Sequence, residues 1–494
     1  MLIPRIGRDD IDLTIAPAGN ERPDRSARVA TPELPADAGR LTDTDGWVHP
    51  GGLAANEPLI ANGVPWFDDR GQTVNAHGAC IIEEAGRYYL FGEYKTDDEN
   101  RFIGFSCYSS PDLATWSFER LVLRPQQDGL LGPQRIGERV KVMKCPSTGQ
   151  FVMYMHTDDL SYADPHIGLA TCETIAGDYT FHGALQHDGE PIRRWDMGSF
   201  QDGDGTGYLL LHEGDIYRLS DDYLAADEKV TENVSPGGES PAMWAQDGVY
   251  YLLFSNKTSW ERNDNYYLSA PSPAGPWTHR GPIAPEGTLT FNSQCTYVFG
   301  LTTEGGTVPM YMGDRWSFPR QASAATYVWL PLSVDGDCLE LGEYLPLWSV
   351  RTGRPAELGA HGAAVQFRSN TAGVALEVPW AGEQVAVIGS SDCHSSYAEV
   401  EILDAQRRQV AFLLVDFYSL VPDDGLRYVS PRLPKSDYTL RIAVTGERPA
   451  WFKKNGERFG PRDSSVSISE VITVPDRLPR PRPTGLPAPS SPAR

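Results

Sequence analysis

Along most of the chain, apolar residues fall in short runs that alternate with polar positions, and Gly, Asp, Asn and Pro break the runs. Val, Tyr, Phe, Trp and Thr dominate these runs, which is the pattern of strands joined by tight turns. No long segment carries the period of an amphipathic helix, so the chain is predicted to be all-β. The pattern also repeats. AHGACIIEEAGRYYLFGEY from Ala76, ERVKVMKCPSTGQFVMYMHTD from Glu138, WDMGSFQDGDGTGYLLLHEG from Trp195, ESPAMWAQDGVYYLLFSNK from Glu239 and FNSQCTYVFGLTTEGGTVPMYMGDRW from Phe291 share one plan. Each has a polar start, an apolar strand, a Gly-containing turn and a second strand. A further strand pair follows, as in IGFSCYSSPDLATWSFERLVL and YYLSAPSPAGPWTHRGPI. Unit starts recur roughly every 40–60 residues, the length of one four-stranded blade. The expected architecture is a five-bladed β-propeller over residues 46–348.

In a propeller the first strand of each blade lines the central channel, so the residue at its mouth faces the axis. The unit starts put His77, Glu138 with Arg139, Asp196, Glu239 and Gln294 at that phase. Glu239 lies in GGESPAM with no basic neighbour, and solvated loop charges would have no reason to share one phase of a repeat. Residues 349–357 read as a linker. From 358 to 477, VALEVPWAGEQVAVIG, YAEVEILD, QVAFLLVDFY, YTLRIAVTG and SVSISEVITV alternate as half-buried strands do. They predict a β-sandwich, jelly-roll-like, as an accessory domain that either binds carbohydrate or braces the propeller. Residues 1–45 read as a flexible arm and 478–494 as a Pro-rich tail that cannot build a core.

Composition narrows the partners. With 43 basic against 66 acidic residues and a net charge of −23, the chain is a poor match for nucleic acid or an anionic membrane. Its 12 Trp and 22 Tyr suit sugar faces, although all-β cores use aromatics too. Seven cysteines form no C-x-x-C pair, and Cys80 and Cys107 sit in apolar runs as small buried residues. No stretch reaches the length of about 20 apolar residues needed to span a bilayer. The N-terminus shows no secretory h-region, so the expectation is a cytoplasmic protein, or a secreted one if translation starts elsewhere. QDGDGTG has the start of a calcium loop but lacks its later ligands, and reads as a hairpin turn. No cofactor is required on this reading and no catalytic metal is expected, with room left for a structural calcium.

Cleaving a glycosidic bond takes two carboxyl groups, one to protonate the leaving oxygen and one to activate water or attack carbon. The acid must stay protonated near neutral pH, which apolar surroundings or a nearby anion achieve. Glu239, with Ala242, Met243 and Trp244 behind it, fits the acid. Asp196, between Trp195 and Met197, fits a second carboxylate that raises the pKa of Glu239.

The motifs NAHGACII, FGEYK, FSCYSSPDLATW, ERVKV, RWDMGSFQDGDGTGYL, ESPAM, FNSQCTYV and YMGDRW resemble glycoside hydrolase family 43, and within it the exo-β-1,3-galactanase-like branch. The resemblance covers roughly residues 65–335. It implies an inverting exo-glycosidase, with Glu239 as general acid, Asp196 as the aspartate that orients it and tunes its pKa, and Glu93 as a residue binding a substrate hydroxyl. The wider family's first-blade aspartate is missing, since that region reads VNAHGAC. The resemblance instead implies that Gln294 positions the water, by an imidic acid tautomer in one account. An amide is a poor base, so Gln294 is read as orienting water and Glu93 as the rival base. His77, Arg139, Tyr94, Trp260, Arg315 and Trp316 are the expected sugar-binding residues, with blade packing as the alternative for each tryptophan and for His77. The substrate is expected to be a β-1,3-linked galactan or galacto-oligosaccharide. An arabinofuranoside, a galactofuranoside or a catalytically silent sugar-binding propeller are the alternatives.

Overall fold

A computed structural model describes Leu53 and residues 57–358, 362–452 and 456–475. The arm 1–45 and the tail 478–494 lie outside the described residues. The described chain is built of strands, with only short helical turns such as Gly129–Leu131 and Leu289–Asn292. No helix among the described residues is long and apolar enough to cross a membrane.

Five sheets follow one another along the chain, antiparallel except where His187 pairs in parallel with Ala226 in the third. The first joins His77–Glu84, Arg87–Glu93, Phe105–Ser110 and Ser117–Leu123. The second joins Arg135–Lys144, Phe151–Asp159, His166–Cys172 and Thr180–Ala184. The third is built on Met197–Gln201, Gly207–Leu211, Ile216–Leu219 and Ala226–Thr231, and two short strands at 186–191 extend it to six. The fourth joins Gly238–Gln246, Val249–Asn256, Tyr266–Ala270 and Thr278–Pro282. The fifth has three strands, Gln294–Thr303, Gly306–Arg315 and Thr326–Pro331. QDGDGTG is the hairpin turn of the third sheet, where Gly205 N–H donates to Asp202 O at 2.9 Å.

The first strands of the sheets are stitched to each other through bulges. In sheets one, two and four the ladder skips directly after His77, Glu138 and Glu239. The next residue adopts a positive φ each time: Gly78 at 61°, Arg139 at 54° and Ser240 at 56°. Such bulges re-aim side chains next to active sites. Each bulge N–H donates to a carboxylate of the preceding sheet or its lead-in: Arg139 to Glu93 Oε1 at 2.7 Å and Ser240 to Asp196 Oδ2 at 3.2 Å. Gly78 of the first sheet donates to Asp314 Oδ2 of the fifth at 3.0 Å, so the first and last sheets are neighbours. A Cβ at Gly78 would lie 2.1 Å from Glu93 Oε1, so only glycine fits there.

Two further four-stranded sheets enclose a separate core. Val387, Val400, Ile402, Leu413, Leu440 and Ile442 fill it, as the alternation in the sequence predicts. The stretch read as a linker starts inside a strand: Leu347–Ser349 pairs with Leu59–Ala61 and with Arg354–Pro355. An apolar cluster containing Leu59, Val64 and Leu347 extends to Ala386, Leu426 and Ile472, and so ties the two parts of the chain together.

Candidate active site

Glu239, Asp196, Gln294 and Arg139 meet where the first strands converge. Arg139 extends from its bulge, with Nη2 2.7 Å from Gln294 Oε1 and 3.2 Å from Asp196 Oδ2. Ser240 Oγ donates to Asp196 Oδ2 at 2.9 Å. Gln294 Nε2 donates to Glu239 Oε1 at 3.0 Å and to Ser255 Oγ at 2.9 Å, while its Oε1 also accepts from Trp316 Nε1 at 2.8 Å. Trp316 is buried, and the Arg139 guanidinium lies 5.5 Å from its ring centroid. One buried Arg139 nitrogen, Nη1, has no hydrogen-bond partner among the described residues.

Two carboxyls a few side chains apart are driven to opposite protonation states. Burial, and then the charge on Asp196, push Glu239 from its ordinary 4.5 up to about 8. Burial also opposes the charge on Asp196, but Arg139 and then His156 outweigh it and hold Asp196 below its ordinary 3.8. At neutral pH the site therefore offers a proton on Glu239 beside an anion on Asp196.

The Gln294 oxygen accepts from two N–H donors, Arg139 and Trp316, an arrangement that suits the amide form. Glu93, the rival base, is 2% exposed; its Oε1 accepts the Arg139 N–H, and its Oε2 lies 2.6 Å from Lys95 Nζ. Burial is the largest influence on it and raises its pKa above the ordinary 4.5.

The other expected binding residues divide. His77 stacks on Tyr327 with centroids 4.7 Å apart, and its Nδ1 lies 3.2 Å from Asp314 Oδ1, so it is tied into the wall. Trp260 stacks on Phe318 at 5.4 Å and meets edge-on the Trp316 whose Nε1 bonds Gln294. Tyr94 and Arg315 make other contacts. Tyr94 follows Glu93 and faces Phe118, 6.5 Å away. Arg315 follows Asp314 and donates to the carbonyls of Phe291 and Asn292, at 2.9 and 3.1 Å.

The sequence did not single out the charged ring around Glu138. Glu138 accepts from Asn100 at 2.7 Å and Tyr162 at 3.0 Å, and faces His156. Burial opposes the charge on His156, but its bonds to Asp158 and Glu138 carry it up to about 9. Burial likewise opposes the ammonium of Lys95, and Glu93 and Glu138 outweigh it. Glu138, His156 and Asp196 could each turn one ligand atom to a metal, within 4.8 Å of one another. In the described structure His156 pairs with Asp158 and Glu138, and Asp196 is held by Arg139 and Ser240. FGEYK and ERVKV carried the signal for Lys95 and Glu138; nothing in the sequence marked His156.

A carboxylic acid held protonated beside an ionised aspartate is the acid–base equipment of a glycosidase. The sequence profile described as glycosyl hydrolases family 43 matches residues 73–288. A solved structure from Bifidobacterium bifidum s17, carrying a provisional exo-β-1,3-galactanase name, is 33% identical and matches over 59% of this chain and 99% of its own, with a TM-score of 0.54. The exo-β-1,3-galactanase of Phanerochaete chrysosporium, solved with galactose, is 25% identical over 84% of this chain and 99% of its own, with a TM-score of 0.63. A β-D-galactofuranosidase of Aspergillus niger is 25% identical over 39% of this chain and 60% of its own. A xylosidase/arabinosidase of Thermoclostridium stercorarium is 26% identical over 21% of this chain and 22% of its own, so the chain spans only part of both curated relatives. The chain belongs to glycosyl hydrolases family 43, a family of glycosidases.

Proposed function

We propose that this protein is an exo-acting, inverting glycosidase that releases terminal galactose from β-1,3-linked galactan or galacto-oligosaccharides. The observation that carries the reading is Glu239, pushed up to about 8 beside an ionised Asp196. In this reading the five sheets close as a five-bladed propeller, consistent with the Gly78–Asp314 bond between first and last, and the C-terminal pair of sheets is a β-sandwich.

Glu239 gives its proton to the leaving oxygen. Asp196 raises the affinity of Glu239 for that proton and is itself held in place by Ser240 and Arg139. Gln294 holds the Glu239 carboxyl by an N–H bond, which makes it an orienting residue for the acid. The Nη1 of Arg139 meets a sugar hydroxyl or the attacking water. Hydrolysis with inversion also needs an acceptor for the proton of the attacking water; Glu93 is the carboxylate assigned that role in this reading, with Gln294 orienting the water. Galactose as the terminal sugar draws on the galactanase names of the structural relatives. The curated galactofuranosidase supports a second reading, in which the same acid serves a furanoside. Galactose release from β-1,3-galactobiose by the wild type, absent in Glu239→Gln, tests the first reading. Activity on galactofuranosides alone would replace it with the second.

A further inference from the structure

The two residues that follow each site tryptophan are gripped by the C-terminal part of the chain. After Trp316, Ser317 Oγ donates to Asp416 Oδ2 at 2.8 Å, and Tyr397 Oη donates to the carbonyls of Ser317 and Phe318, both at 3.2 Å. After Trp260, the buried Glu261 accepts from Tyr418 Oη at 2.7 Å. Arg262 closes the circuit. It donates to the Trp316 carbonyl, lies 3.9 Å from Asp416 Oδ2 and sits 5.6 Å from the Tyr418 ring centroid. Asp416 itself is set by the Tyr418 N–H at 2.8 Å. These groups are buried or nearly so, where a hydrogen bond fixes geometry rather than competing with water.

We infer that Asp416 and Tyr418 are positioning residues for the catalytic centre, acting through Trp316 and Trp260. The path is short: Asp416 holds Ser317, Trp316 holds the Gln294 oxygen, and Gln294 holds Glu239. The C-terminal part is then a working part of the glycosidase, whatever sugar it binds on its own. The inference rests on the proposed role of Glu239 as acid. It adds that this acid is aimed from a second part of the fold.

Tyr418→Phe and Asp416→Asn in the full chain test it, with Glu447→Gln as the control. Glu447 joins the same interface through Arg320 at 2.9 Å but touches neither tryptophan. Two substrates separate aiming from folding. A β-1,3-galactobiose leaving group needs the acid, whereas a dinitrophenyl galactoside leaves without it. For both variants, kcat/KM on the disaccharide should fall about ten-fold more than on the dinitrophenyl galactoside. The near-ultraviolet circular dichroism of the Trp260–Trp316 pair should change, and Glu447→Gln should match wild type in both. Equal losses on the two substrates with an unchanged tryptophan spectrum would mean that the interface is only structural and would overturn the inference. If wild type cleaves no galactoside, the proposed function fails, and the tryptophan spectrum still decides whether the C-terminal part sets the pair.

Discussion

Replacing Glu239 by Gln should stabilise the protein, and by an amount that grows with pH. The wild-type carboxyl titrates at about 8 in the folded chain against an ordinary 4.5. Below 4.5 both folded and unfolded chains carry the proton, and nothing changes with pH. Between 4.5 and about 8 the unfolded chain releases a proton that the folded chain keeps, so stability falls as pH rises. Each pH unit costs about 1.4 kcal/mol, and the whole window about 5 kcal/mol as an upper bound. The causes are visible in the structure: the carboxyl is enclosed and Asp196 stands close by. Gln has the same shape and no proton to lose, and its carbonyl can still accept from Gln294. Urea denaturation of wild type and Glu239→Gln at pH 5, 6, 7 and 8 should therefore give midpoints that diverge steadily, with the variant the more stable. A difference that stays constant across that range would show that Glu239 is not held protonated, and the assignment of the acid would lose its physical basis.

Other consequences follow from the same contacts. The basic limb of kcat/KM for wild type should lie near pH 8, and Asp196→Asn should move it to lower pH, because removing the neighbouring anion lets Glu239 ionise sooner; a pH–rate profile reads both. Gln294→Ala should lower kcat by about 100-fold on disaccharide, since an oriented donor to the acid and the acceptor for Arg139 are lost together; full activity would remove Gln294 from the mechanism. Gly78→Ala should destabilise by about 2 kcal/mol or more in thermal or urea unfolding, because the methyl group meets Glu93 Oε1 and the backbone is left-handed there. Ser240→Ala should loosen Asp196 and lower kcat with little change in KM, because Oγ touches the carboxylate and not the sugar.

Much of the site was legible because the repeat has a phase. Glu239, Asp196, Gln294 and Arg139 were read from the starts of successive units, and the structure brings those four together. What a phase cannot show is how a strand is interrupted. The bulges at Gly78, Arg139 and Ser240 turn backbone N–H groups toward carboxylates, and no alternation of apolar and polar residues announces them. Nothing in FGEYK reveals that the Glu93 oxygens engage Arg139 and Lys95. The all-β character followed from strand-length apolar runs. The two extra strands of the third sheet, and the three strands of the fifth among the described residues, did not. The hold of Asp416 and Tyr418 on the tryptophan segments joins residues about 100 or more positions apart, which only the folded chain displays.

The most direct test of the central claim is proton NMR of the first sugar released from β-1,3-galacto-oligosaccharides, with wild type and Glu239→Gln side by side. The account predicts α-galactose appearing first with wild type, before mutarotation, and no release with the variant. β-Galactose appearing first, or equal release by both proteins, would contradict an inverting enzyme with Glu239 as its acid.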